Sequence, residues 1–271
     1  MGITTAKKSL GQHFLACEWV IPIMLDAASL SPDDTVLEIG PGTGVLTRAI
    51  AARATRVIAI EKDEKLAATL AEQLARERIA NVEIHTGDIL KKIPPLPKRY
   101  KIVANIPYYL TARLLRCLLE EQTQKPTSIV LMIQKEVAER IIARPPHENL
   151  LALSVQVFGA PSLVKIVPSM CFHPRPQVDS AIIAISDISD NFFIAHDIRP
   201  NIFFNIVRAG FAHKRKLLLN SLAALAHKPF LHSWFQELSI SHHARPEELS
   251  PVQWAKLAQK LGAHIAAKPA V

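Results

Sequence analysis

The stretch "TVLEIGPGTGVLT", Thr35 to Thr47, decides the fold. Its first five residues form a short β-branched run, and its last residues open a helical pattern, "VLTRAIAARA". Between them Gly40, Gly42 and Gly44 alternate, and glycine lets backbone pass close to a ligand. Strand, glycine turn and helix together open a βαβ unit. The same alternation continues through "RVIAIE", "EKLAATLAEQLARE", "NVEIHTGD", "YKIVAN", "LTARLLRCLLEE" and "TSIVLMIQ". It predicts a parallel sheet with helices on both faces, in which "KIVAN" and "SIVLMI" are central strands. Further on, "SLVKIVP" and "QVDSAIIAI" read as two strands that close the sheet in antiparallel fashion. Polar residues at Ile185–Asn191, "ISDISDN", then interrupt the periodicity, and helical patterns alone follow. The expectation is an α/β catalytic domain over 1–188 and a small all-helical domain over 189–271.

The chain has 271 residues, 49% of them hydrophobic, which suffices for a substantial core. It has no run approaching the roughly 20 apolar residues that cross a bilayer. "MGITTAKKSL" lacks the apolar centre of a secretion signal, so a soluble cytoplasmic protein without membrane contact is expected. Cys17, Cys117 and Cys171 fit neither a disulfide framework nor the close pairs of a zinc site, and are expected to be ordinary thiols with no metal. The net charge of +8 favours a polyanionic partner. Between Ile198 and Gln236 stand six basic residues and no acidic one, four of the six within Arg208–Lys216. A solvated helix face usually mixes signs, so Arg208, Lys214, Arg215 and Lys216 read as a phosphate-binding surface.

Three carboxylates, Glu38, Glu61 and Asp88, fall at the carboxyl ends of three successive predicted strands, where open α/β sheets bind ligands. Glu61 is placed for a ribose diol and Asp88 for an adenine amino group. After the last glycine "GTGVLT" lacks the Lys-Ser or Lys-Thr that a phosphate loop uses, and three carboxylates would repel a pyrophosphate. A nucleoside with a cationic end, S-adenosylmethionine, fits better than NAD or ATP. Singly, each carboxylate is as well suited to cap the following helix. The next strand runs into "ANIPYYLT" and brings Asn105, Ile106, Pro107 and Tyr108 to the same sheet edge. An exocyclic adenine amine is a weak nucleophile because its lone pair is delocalised into the ring. The Asn105 side-chain carbonyl and the Ile106 backbone carbonyl are suited to accept its N–H bonds while Pro107 fixes the turn and Tyr108 stacks on the base. The plainer alternative makes Asn105 the cap of a helix starting near Thr111.

At this point the chain resembles the ribosomal RNA adenine N6,N6-dimethyltransferases. "GQHFL", "EIGPGTGVLT", "NIPYYLT", "MIQKEVAERI", "FHPRPQVDSA", "FAHKRKLLLNSL" and "RPEELSPVQWAKLA" fall in that family's order and spacing, from Lys8 to about Leu261. "QVDSA" and the "EELS" helix place the resemblance in the small-subunit branch. It implies a class I S-adenosylmethionine-dependent, Rossmann-like fold with an antiparallel closing strand and a helical C-terminal domain. It also implies a substrate of two adjacent adenines in the 3′-terminal hairpin of small-subunit rRNA; as partners, small-subunit rRNA within a partly assembled subunit and no second copy of the chain are expected. Residue by residue, Gln12, His13, Leu15, Glu38, Gly40, Gly42, Glu61, Lys62, Asp88, Ile89 and Asn105 match cofactor positions. Phe172 matches an aromatic opposite Tyr108 across the flipped adenine. The chain departs from the family pattern at His13, where Asn is common, and at Asn149–Ala152, where Tyr-Gly is common.

Lys7, Lys8, Arg175 and the Arg208–Lys216 cluster are expected to line a basic track for RNA. Lys135 and Arg140 are as well suited to pair with Glu136 and Glu139. Two other functions remain compatible with the motifs: large-subunit rRNA methylation conferring antibiotic resistance, and a subunit-assembly factor in which binding outweighs catalysis.

Overall fold

The computed structural model describes residues 12–213 and 216–266. Its strands are β1 (Phe14–Leu15), β2 (Thr35–Ile39), β3 (Arg56–Glu61), β4 (Val82–Thr86), β5 (Lys101–Asn105), β6 (Ser128–Gln134), β7 (Ala160–Val167), β8 (Phe172–His173) and β9 (Ser180–Ser186). Among the described residues, seven of these form one sheet in the order β4-β3-β2-β5-β6-β9-β7. The five from β4 to β6 run parallel, and β9 lies antiparallel to both β6 and β7. This is the mixed sheet expected, with the closing pair where the two late strands were placed. The strand order reverses at β2, which has β3 on one side and β5 on the other. That reversal opens a crevice at the carboxyl ends of β2 and β5.

Burial explains which sequence runs became central strands. Val36, Leu37, Val57, Ile58, Ile102, Val103, Ile129 and Leu131 are inaccessible to solvent, so successive side chains on both sheet faces are covered. The outer strand β7 instead exposes Leu163 and Val164 and mixes polar with apolar residues. Helices α1 (Val20–Ala27), α2 (Val45–Ala51), α3 (Glu64–Arg76), α4 (Thr111–Arg116) and α5 (Lys135–Ile142) follow the strands. In α3 the Asp63 carboxylate accepts from the Lys65 and Leu66 amides, and the stripe Leu66, Leu70, Leu74 is buried. Such an N-cap stabilises a helix by about 1 kcal/mol. Lys135 pairs with Glu139 one turn along α5 at 3.9 Å, as the alternative charge-pair reading had it.

The chain divides into two compact units: 1–139 with 160–188, and 140–159 with 189–271. Residues 140–159 therefore pack with the helices that follow Ile188, whereas the linear reading left them in the first domain. The reason is α6 (Leu150–Gln156), whose buried Leu151, Leu153 and Val155 join the core built by α7 (Asn191–Ala195) and α8 (Pro200–Phe211). The remaining helices of this unit are α9 (Leu218–Leu222), α10 (Lys228–Glu237) and α11 (Pro251–Ala266). Phe158 meets Phe193 at 5.1 Å and Phe204 at 5.9 Å between ring centroids, and Phe203 meets Phe204 edge-on at 5.1 Å. Asn149, one of the departures from the family pattern, caps α6 by accepting from the Leu151 and Ala152 amides. Among the described residues, no helix is long and apolar enough to cross a membrane.

Candidate functional site

One cavity at the carboxyl edge of the sheet is lined by Gln12, His13, Leu15, Glu38, Gly40 and Gly42 from the first part of the chain. Glu61, Lys62, Asp88, Ile89, Asn105, Pro107, Tyr108 and Phe172 complete its wall. Every cofactor or base-contacting position expected from the sequence thus faces the same space, although those residues span 161 positions of the chain. Phe14, Tyr109 and Arg113 also line it and were not singled out beforehand. Phe14 lay unremarked within "GQHFL", and Tyr109 and Arg113 follow the motif that ends at Tyr108.

The glycine loop leaves β2 with positive φ at Gly40, Gly42 and Gly44. A Cβ on Gly42 would press on the Phe14 ring at 3.3 Å, so the loop and β1 approach as closely as they do only with glycine there. On Gly44 it would collide with the Leu70 side chain. Glu61, buried at the end of β3, ties the loop down: one carboxylate oxygen accepts from the Gly42 amide at 3.1 Å and the other from Asp63 at 2.9 Å. The Gly40 amide in turn donates to the Ile60 carbonyl at 2.8 Å.

Glu38, only 1% exposed, is the most deeply buried carboxylate of the wall. Burial pushes it up to about 8; the Thr47 hydroxyl opposes this and the neighbouring Glu61 adds to it, so at pH 7 Glu38 is mostly neutral. Its Oε2 is buried without a hydrogen-bond partner. Asp88 differs: partial burial raises it, but the Lys62 ammonium at 3.0 Å and the Leu90 amide at 3.1 Å outweigh that and hold it below the usual carboxylate range. The capping alternative does not account for Glu38 or Glu61, since the cap of α3 is Asp63 and α2 begins at Gly44 without a side-chain cap, whereas Asp88 does accept from the Leu90 amide at the head of the turn that follows it.

Asn105 ends β5 opposite Met132 of β6. Its side chain makes no hydrogen bond to any described residue. It does not cap α4, whose preceding residue is Leu110 and which has no side-chain cap. Pro107 instead starts a 3₁₀ turn over Tyr108–Leu110, with the Leu110 amide donating to its carbonyl at 3.0 Å. The Tyr108 hydroxyl bonds to Ser180 Oγ at 2.8 Å, and burial raises its pKa. Phe172, 4% exposed, also lines the cavity, and among the described residues it makes no ring contact with Tyr108.

Pairing of β1 with β8 carries the N-terminal residues to this wall: Phe14 stands opposite His173 and Leu15 opposite Phe172. The Ala16 amide extends the ladder to the Cys171 carbonyl at 2.8 Å. The same pairing overturns the expectation of three ordinary thiols. Cys17 and Cys171, 154 residues apart in sequence, are joined by a disulfide, and Cys117 alone is a free, buried thiol among the described residues. Sequence separation says nothing about strand pairing, which is why the bridge was not legible. Burial also raises the Cys117 thiol.

Of the expected phosphate contacts, Arg175 is exposed in the first unit, its Nε donating to Ser169 Oγ at 3.0 Å. In the second unit Arg208 lies 5.4 Å above the Phe204 ring, and Lys216 is exposed. Lys7, Lys8, Lys214 and Arg215 lie outside the described residues.

The residues present fit S-adenosylmethionine. Acidic or neutral carboxyl groups line the places where a diol, an adenine amine and a cationic ammonium would sit, Glu38 Oε2 is an orphaned buried polar atom, and the Asn105 amide is unengaged. The model for ribosomal RNA adenine dimethylase matches residues 3–262. The chain is 44% identical over 260 residues to the ribosomal RNA small subunit methyltransferase A of Dehalococcoides mccartyi, covering 93% of this chain and 87% of that one. It is 36% identical over 270 residues to the same-named protein of Nostoc sp., covering 94% and 98%. Among solved structures, a dimethyladenosine transferase from Plasmodium falciparum superposes with a TM-score of 0.81 at 26% identity, covering 93% and 98%. The 23S rRNA methyltransferase ErmE superposes with a TM-score of 0.70 at 27% identity, covering 92% and 99%.

Proposed function

The chain belongs to the ribosomal RNA adenine dimethylase family, and we propose that it converts two adjacent adenines in the 3′-terminal hairpin of small-subunit rRNA to N6,N6-dimethyladenosine. It is an S-adenosylmethionine-dependent methyltransferase. One observation carries the assignment of chemistry: the Asn105 side chain ends its strand without a hydrogen bond to any described residue, in the cavity that Glu61 and Asp88 also line. The small-subunit relatives support the choice of RNA.

When bound, S-adenosylmethionine supplies an electrophilic methyl group. Glu61 and Asp88 hold its ribose and adenine; Lys62 and Ile89 flank them. Gly40, Gly42, Gln12, His13, Leu15 and Glu38 surround its amino-acid end. Neutral Glu38 keeps one hydrogen-bond donor at that wall without adding a third charge to Glu61 and Asp88. The target adenine lies between Tyr108 and Phe172, outside its helical stack. Asn105 Oδ1 and the Ile106 carbonyl accept the two amine N–H bonds and draw the nitrogen lone pair out of conjugation. Asn105 orients the amine without removing its proton, because an amide has no useful basicity. A monomethylated amine still offers one N–H to these acceptors, and a dimethylated amine offers none, which ends the reaction at two methyls.

Lys7, Lys8 and Arg175 of the first unit, and Arg208, Lys214, Arg215 and Lys216 of the second, contact RNA phosphates, while the cavity selects the base. The enzyme acts as a cytoplasmic monomer on a partly assembled subunit. The test is transfer of radiolabelled methyl to under-methylated small subunits and, separately, to large-subunit rRNA, with products digested to nucleosides. Dimethyladenosine from the small subunit alone is the expected result. Label in large-subunit RNA would move the protein to the function of ErmE, and binding without label would make it an assembly factor.

A further inference from the structure

Tyr109 and Arg113 stand on the rim of the same cavity, beyond the residues that hold cofactor and target base. Tyr109 is 60% exposed although it lines the cavity, and its ring stacks on no ring of the described residues. An aromatic side chain left open at a cavity mouth, next to the base-contacting Tyr108, is a surface in search of a flat partner. Arg113 lies four residues on, near the start of α4, is exposed, lines the cavity and forms no ion pair with any described residue. By contrast Arg116, on the same helix, is engaged by Glu120 and Glu121. Lys62 belongs to this rim too: both Tyr109 and Arg113 act on its ammonium, and Lys91, exposed in the turn after Asp88, acts on the Asp88 carboxylate.

Beside the Lys62–Asp88 ion pair, already neutral in sum, this part of the wall thus carries a further cation, Arg113, and exposed Lys91 stands in the turn that follows Asp88. Such an excess does not suit the cofactor. S-adenosylmethionine has one anionic group, its amino-acid carboxylate, and the expected place for that is the glycine-loop end rather than the Asp88 end. A polyanion crossing the rim suits both the free guanidinium and the open ring. Resting on the function proposed above, we infer that Tyr109 and Arg113 form a subsite for the nucleotide adjoining the target adenine. Its base stacks on Tyr109 and its phosphate meets Arg113. With two adjacent targets, this subsite holds one adenine while the other is in the cavity.

The full-length protein with Tyr109→Ala, Tyr109→Phe and Arg113→Gln tests the subsite. Three quantities are read: KM for under-methylated small subunits, affinity for a hairpin RNA bearing the two adenines, and affinity for S-adenosylmethionine. Tyr109→Ala is expected to weaken both RNA measures about ten-fold, and Tyr109→Phe, which keeps the stacking face, to leave them near wild type. Arg113→Gln should weaken RNA binding and reduce the salt-dependence slope by about 0.7. Cofactor affinity should be unchanged in all three, which also reports that they fold. Parallel loss of cofactor affinity in Tyr109→Ala would assign the ring to the cofactor and overturn the subsite, as would unchanged RNA measures. If the wild type transfers no methyl to small subunits, the proposed reaction fails, while the hairpin-binding comparison still decides the subsite.

Discussion

The His13 ring stacks beside that of Tyr108, with centroids 5.7 Å apart and planes 24° from parallel, while its Nδ1–H donates to the Pro174 carbonyl at 2.7 Å. One side chain thereby braces both walls of the proposed base site, the Tyr108 turn and the loop that carries Phe172. His13→Ala should lower kcat/KM about five-fold, the order of one lost hydrogen bond, with cofactor affinity less affected. His13→Asn keeps a donor for Pro174 and should restore part of the loss. Steady-state methylation of small subunits with each variant checks this.

Asn105 faces the cavity without a protein partner, so its removal should spare the fold and remove the acceptor of the amine. Asn105→Ala should cut kcat at least about 100-fold, in the range seen for a lost transition-state hydrogen bond, and leave affinity for the subunit unchanged. Single-turnover methyl transfer alongside filter binding separates the two. Equal loss of binding would sink the orienting role.

Burial disfavours the charge of Glu38 and pushes it up to about 8 in the folded state from an ordinary 4.5. The folded state therefore binds more protons than the unfolded one between those values, and stability contributed by neutral Glu38 is fully present below about 4.5 and lost as pH rises through about 8. Glu38→Gln removes the titrating group. Its Tm relative to wild type should be lowest in acid and climb steadily to pH 8. Glu148, buried in the second unit, is pushed to about 7 by burial, against the opposing Asn149 amide and Arg144, and adds a wild-type slope of the same sign.

The Cys17–Cys171 bridge closes a very long loop and staples β1 to β8 behind Phe172. In the chain-entropy account such a closure stabilises by on the order of 4 kcal/mol. Air-oxidised protein should expose one reactive thiol on unfolding, and reduced protein three. Dithiothreitol should lower the urea midpoint of the wild type and have no such effect on Cys17→Ser. In a reducing cytoplasm the thiols would be free, and β1 would be held to β8 by backbone hydrogen bonds alone.

The sequence by itself determined the sheet and its parallel core, and it named the residues that stand at the sheet's carboxyl edge. Strands β2, β3, β5 and β6 carry apolar runs through their middles because these lie between covered faces, and the sequence exposes such runs directly. Glu61 and Asn105 were legible because each ends such a strand, and Asp88 because it follows the edge strand β4 by two residues; in a parallel sheet successive carboxyl ends share one side. Tertiary structure alone decided what distant segments do to one another. The pairing of β1 with β8, the Cys17–Cys171 bond, the brace from His13 to Tyr108 and Pro174, and the transfer of residues 140–159 to the helical unit all join positions far apart in the chain. Local pattern records which face of an element is buried, but not which remote segment covers it. For the same reason nothing in the sequence marks Tyr109 and Arg113, which the fold leaves exposed beside the cavity.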